Sequence, residues 1–183
     1  QQYVNDLVFP NDKDYIVEAW SRDHARLLVE DPANGAQMLF DIASTERTPL
    51  AKPATGRYVT AVLDPTNTKL IVLEATATPG TNAMRELTIA TGEWKELGTG
   101  TYRSIDYSPN GKYMILEDAT GARTLRETAT GAAVSLPEGA ELLAVSPKET
   151  LIAYGLKQPA GGATRLFLND PTKKQSAEIG LMH

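Results

Sequence analysis

The chain has 183 residues, 42% of them apolar and 22% charged, with a net charge of −5 and no cysteine. This balance excludes a wholly disordered chain, and a domain of this size needs no disulfide or metal to hold its core. The missing cysteines remove disulfides, zinc–thiolate centres and thiol nucleophiles; 18 Lys and Arg scattered among 23 Asp and Glu leave no concentrated basic face for nucleic acid; no apolar run approaches the ~20 residues that span a bilayer.

In chain order, the first notable phrase is Val8-Phe9-Pro10-Asn11-Asp12-Lys13-Asp14-Tyr15-Ile16-Val17-Glu18. It is an apolar run, a proline, polar turn residues and a second apolar run. That pattern predicts a β-hairpin, because proline pre-sets φ for a turn and Val, Ile and Tyr fit a pleated, half-buried surface. A loop from Ser21 to Gly35 follows, in which Leu27-Leu28-Val29 reads as a displaced strand. Residues 38–50 then read as strand, short turn, strand.

The same two phrases return three times. Residues 62–72 form the second hairpin around Pro65, and 85–97 the second strand pair around Ala90-Thr91-Gly92. The third hairpin spans 106–116 with Pro109-Asn110-Gly111, a dipeptide suited to positive φ, and its strand pair spans 124–136 around Ala129-Thr130-Gly131. The fourth hairpin spans 145–154, where Lys148-Glu149 replaces the Asn or Asp of the other copies. Its strand pair, 166–179, is looser.

Each repeat therefore predicts four antiparallel strands, in approximate repeats 3–52, 58–98, 101–138 and 141–182 of a single region, 1–183. The turn prolines at 10, 65, 109 and 147 are 55 (10 to 65), 44 (65 to 109) and 38 (109 to 147) residues apart. Four-stranded propeller blades run roughly 40–50 residues. The expected fold class is all-β: four propeller-type blades of antiparallel sheet, part of a larger β-propeller. A β-sandwich is the alternative, but its strands would not be expected to repeat one turn chemistry four times.

The Ser108-Pro109-Asn110-Gly111-Lys112-Tyr113 phrase, with the Ala129-Thr130-Gly131 turn, resembles the WD40-like repeats of TolB-type propellers. The same phrase occurs in the propeller domains of prolyl-oligopeptidase-family (S9) peptidases. The resemblance covers nearly the whole chain and is sharpest in the third repeat. It departs from true WD40 repeats, since no Trp-Asp dipeptide or Gly-His pair is present. Resembling families close with six to eight blades, which leaves three arrangements open: a piece of a longer polypeptide, a ring finished by another chain or a second copy, or a small four-bladed ring. The start at Gln1-Gln2 fits a processed chain, a fragment or an edited sequence, and the ending Leu181-Met182-His183, which does not read as a finished strand, favours the first arrangement.

No catalytic constellation is legible. His24 and His183 have no ligand or triad spacing, and no Gly-x-Ser-x-Gly elbow occurs. Gly98-Thr99-Gly100 and Gly161-Gly162 read as turns rather than phosphate loops. Asn11-Asp12-Lys13-Asp14 reads as a hairpin turn rather than a calcium loop, and Glu117-Asp118 as a solvated strand end rather than half of a hydrolytic pair. No catalytic residue, metal or cofactor is expected.

The loop after Trp20 carries Arg22 and His24, side chains common at binding hot spots and switches. In resembling propellers the loops joining second and third strands share a rim with those between blades. That implies a binding rim of Trp20, Arg22, Arg57, Tyr58, Tyr102 and Arg103. The bland alternative packs Trp20 between blades.

The function expected is a non-catalytic protein–protein interaction or scaffold module. Two alternatives are a gating or regulatory domain of a larger enzyme such as an S9-type peptidase, and a small-ligand or carbohydrate-binding propeller. The expected partner is another protein or further blades of the same polypeptide, with a ring-completing oligomer among the options. Nucleic acid and a membrane span are not expected, and an extracytoplasmic setting, periplasmic or secreted, is favoured.

Overall fold

The computed structural model describes residues 15–50, 58–158 and 162–182. All regular structure among them is β-strand, arranged as four antiparallel sheets. Sheet 1 runs β1 (Ile16–Trp20), β2 (Arg26–Asp31), β3 (Ala36–Asp41), β4 (Arg47–Pro49). Sheet 2 runs β5 (Tyr58–Leu63), β6 (Lys69–Ala75), β7 (Asn82–Thr88), β8 (Glu93–Gly100). Sheet 3 has β9 (Tyr102–Tyr107), β10 (Tyr113–Asp118) and β11 (Arg123–Glu127). Sheet 4 runs β12 (Ala140–Val145), β13 (Ile152–Leu156), β14 (Thr164–Asp170), β15 (Gln175–Met182). In every sheet the strands neighbour one another in chain order, the meander of a propeller blade. The chain divides into two compact units, residues 1–105 and 106–183.

In the first unit one face of sheet 1 meets one face of sheet 2. Leu28 and Leu39 pack with Tyr58, Leu63, Leu70, Val72 and Leu87, each at most 5% exposed. The alternation of the strand places Leu27 and Val29 on the other face of sheet 1, where they cluster with Phe40. In the second unit Tyr113 and Leu125 of sheet 3 pack with Leu142 and Ile152 of sheet 4. The same register recurs, with Leu28 opposite Leu39, Ile115 opposite Leu125 and Ala153 opposite Leu168.

The turn between the first two strands is one structure built four times. The backbone N–H of His24, Asn67, Gly111 and Glu149 donates to the carbonyl of Ser21, Asp64, Ser108 and Ser146, at 3.0, 2.9, 2.9 and 2.7 Å. Those four donors all sit at positive φ, between 56° and 79°. An oxygen of each turn's first side chain accepts the N–H five residues on, in Arg26 (2.8 Å), Lys69 (2.6 Å), Tyr113 (2.9 Å) and Leu151 (3.1 Å).

This equivalence corrects the first repeat. Its turn is Ser21–Ala25, and Arg22 stands where Pro65, Pro109 and Pro147 stand in the others. Successive turns are then 43 (22 to 65), 44 (65 to 109) and 38 (109 to 147) residues apart, more even than a count starting at Pro10. Residues 8–14 of the phrase around Pro10 lie outside the described residues, while Ile16–Glu18 open β1. Leu27-Leu28-Val29 is the middle of β2, a full member of sheet 1.

Two further expectations change. Among the described residues sheet 3 has no fourth strand, only a single bridge from Arg126 to Ala133. Val134 and Leu136 instead pack on the Leu125–Leu142–Ile152 cluster, and Pro137 cannot donate to a ladder. The chain's end, expected to be unfinished, is an eight-residue strand running to Met182, with Gly180 taking a φ of 156° beside a bulge in the pairing of β14 with β15.

Candidate functional site

The first-unit end that carries the β1–β2 and β5–β6 turns is built on the residue at positive φ. Asn67 donates from Nδ2 to an Asp23 carboxylate oxygen at 2.6 Å, and its carbonyl accepts from Arg26 at 2.5 Å. Asp23 also takes the Ser21 hydroxyl (2.7 Å) and the Ala25 N–H (3.0 Å). The Ser21 hydroxyl, the Ala25 N–H and the Asn67 amide together hold the Asp23 carboxyl down at about 2, because each bonds the charged form. One turn of sheet 2 is thereby pinned to one turn of sheet 1.

The second unit repeats the device with another residue. Glu149 is buried, and its carboxylate accepts from the Ser108 hydroxyl (2.6 Å), the Asn110 N–H (2.5 Å) and the Lys112 N–H (3.1 Å). Asn110 returns a bond from Nδ2 to the Pro147 carbonyl at 2.9 Å. Sequence reasoning missed Asp23, Asn67, Ser108 and Glu149 as a set. The available signal was the Ser or Asp that opens every turn and, in three of the four, a polar residue three places later.

Trp20 is the anomaly at this end. It precedes its turn as Leu63 and Tyr107 precede theirs, and those two are 4% and 2% exposed against 43% for Trp20. Its indole meets the His24 ring edge-on, with centroids 5.8 Å apart. Arg22 and His24 are exposed beside it. Trp and Arg are side chains enriched at protein-contact hot spots.

The expected rim is not one cluster. Trp20 and Arg22 lie at the turn end of the first unit, with Asp64 and Asn67. Tyr58 opens β5 at the opposite end, one strand length or roughly 17 Å away. Tyr102 belongs to Tyr58's end, because its carbonyl accepts from Asn82 and its ring lies over Gly100, where an added Cβ would come within 2.4 Å of it. Arg103 follows it on β9, and Arg57 lies outside the described residues. Counting the first hairpin from Pro10 put Trp20 after a second strand, whereas it ends a first strand, and one strand's shift exchanges the two ends. Tyr58 is moreover a core residue, packed 6.2 Å from Trp94, its hydroxyl pushed up to about 12 by burial and then by Glu74.

Three other aspartates are occupied by their own turns. Asp41, Asp118 and Asp170 are held below the usual range, first by the Ser44 N–H, the Thr120 hydroxyl and the Lys173 N–H respectively. Glu117 pairs with Arg123 at 2.9 Å, so Glu117-Asp118 divides between an ion pair and a turn cap. The Asn11–Asp14 stretch lies outside the described residues.

No family profile matches the chain, and no curated protein does. Solved structures do match its fold. The oligogalacturonate lyase of Vibrio parahaemolyticus superposes with a TM-score of 0.64 at 16% identity, over 96% of this chain and 56% of that one. TolB from Acinetobacter baumannii gives 0.51 at 15%, over 95% and 45%. The β-propeller domain of the Trilobed protease from Pyrococcus furiosus gives 0.54 at 8%, over 84% and 52%. The chain thus has the fold of TolB-type propeller blades and spans about half the length of these structures. Identities this low bear on the fold alone.

Proposed function

We propose that the chain is a non-catalytic protein-interaction module built from propeller blades, contacting its partner through the turn end that carries Trp20, Arg22 and His24. The observation that carries this reading is Trp20, 43% exposed at a position where Leu63 and Tyr107 are buried. Rigid sheets hold that corner in a fixed place on the exposed turn end, where another surface can meet it. The carboxylates support the non-catalytic part: among the described residues Asp23, Asp41, Asp118 and Asp170 are capped within or between turns and Glu178 pairs with Arg165, each held below its usual range, whereas acid–base catalysis needs a group poised near the working pH. The partner is another protein or further sheets of the same polypeptide, in an extracytoplasmic setting.

The test is photo-cross-linking from position 22 in the full chain, expressed in its source cells. A discrete adduct is expected that disappears in the Trp20→Ala variant and is absent when the cross-linker sits at Lys95. Equal labelling from both positions defeats the assignment. Assays on oligogalacturonate and on prolyl peptide anilides should give no rate above buffer, and turnover abolished by a point substitution would sink the non-catalytic reading.

The runner-up is a gating domain of a larger enzyme. It draws support from the likeness to the β-propeller domain of the Trilobed protease.

A further inference from the structure

In the second unit a cleft of about 650 Å³ opens between the return segment after β11 and the outer strands of sheet 4. Its position follows from the missing fourth strand of sheet 3. The Val134 N–H donates to the Leu125 carbonyl at 2.9 Å, and the Glu127 N–H to the Ala132 carbonyl at 2.8 Å. Residues 132 and 134 therefore turn their backbone groups toward β11. By the period of two, Ala133 and then Ser135 turn theirs away from β11, and both belong to the stretch 132–137 that lines the cleft. Sheet 3 thus ends on a short open edge, the kind of surface that pairs with an added strand. Across the cleft stand Pro171, an apolar wall, and Asn169, bonded to Ser176 at 3.0 Å. Lys174 lies at the same wall with a φ of 52°, and among the described residues its ammonium joins no ion pair.

We propose that this cleft binds an extended peptide segment of a partner protein as a strand against Ala133 and Ser135. The peptide's apolar side chains would cover Pro171 and a carboxylate would meet Lys174. Backbone pairing supplies the affinity and alternate side chains the selectivity. The cleft's volume suits a segment of about five residues, and an acidic group complements Lys174, while Glu127, the carboxylate of the lining, takes the Thr130 hydroxyl at 3.0 Å. This proposal rests on the interaction-module reading but uses a different surface from the Trp20 corner.

Fluorescence anisotropy on the full chain tests it, with labelled Val-Thr-Val-Thr-Glu and Val-Thr-Val-Thr-Lys as probes. Saturable binding is expected, about fivefold tighter for the Glu peptide, with the preference reversed by Lys174→Glu. Ala133→Pro removes an N–H aimed into the cleft and leaves both bonds to β11 in place, so it should weaken binding about tenfold with little change in melting temperature. Should that variant fold poorly, amide shifts in the unmutated chain decide: they should move at 133–136 and at 171–176. Failure of both peptides to bind, or shifts confined to other residues, overturns the cleft. A cross-link from position 22 without peptide binding would remove the cleft and keep the module; peptide binding without the cross-link would do the reverse.

Discussion

A single residue in each β1–β2-type turn decides how that turn is used. His24, Asn67, Gly111 and Glu149 all adopt a left-handed backbone that costs an ordinary side chain about 1 kcal/mol. Asn67 and Glu149 offset the strain with side-chain bonds to the preceding turn of their own unit. Glu149→Ala should therefore lower stability by about 3 kcal/mol, since the strain stays and buried donors lose a charged acceptor. Glu149→Gly should cost about 1 kcal/mol less, because glycine relaxes the backbone. Urea unfolding of both variants checks the order, and equal losses would mean the backbone is not strained. Asp23 gives a pH dependence. Its folded pKa, about 2, lies below the ordinary 3.8, so the stability it contributes is fully present above about pH 4 and is lost as pH falls toward 2. Melting curves of the unmutated chain and Asp23→Ala should differ by a constant amount at neutral pH and converge between pH 4 and pH 2.

At the scale of the element, the hairpins and the strand pairs were legible because their signals are local. The Ala-Thr-Gly turns form where expected, with Gly92 and Gly131 at φ of 72° and 71°. Tyr113 faces a core and is 1% exposed, so Tyr113→Asp should bury a charge against Leu125, Leu142 and Ile152 and cost roughly 4 kcal/mol or more. A thermal melt unchanged by that substitution would refute the register of sheet 3. The turn between β1 and β2 is not legible from a count of prolines, because Arg22 fills the place that proline marks in the others. The truncated fourth strand of sheet 3 escaped notice for a different reason. Ala132–Leu136 reads as a strand, but Val134 and Leu136 gain more by joining the neighbouring core than by extending a ladder on an exposed edge.

For the whole molecule, four sheets of one design raise the question of what completes them. The oligogalacturonate lyase and TolB structures that share this fold are about twice as long as the chain. Light scattering across a range of concentrations should give the monomer mass, 19.8 kDa, if further sheets come from a longer polypeptide. A mass that doubles with concentration would instead assign completion to a second copy. The sequence by itself determined the all-β class, the fourfold repeat and the turn chemistry, because hydrophobic alternation and turn residues act over a few positions along the chain. Only the tertiary structure decided which end of a sheet Trp20 occupies, that Asn67 and Glu149 pin neighbouring turns, and where sheet 3 leaves a cleft. Those features depend on which strand is first in its sheet and on contacts between residues about 40 positions apart, such as Ser108 and Glu149, and no local pattern encodes such contacts.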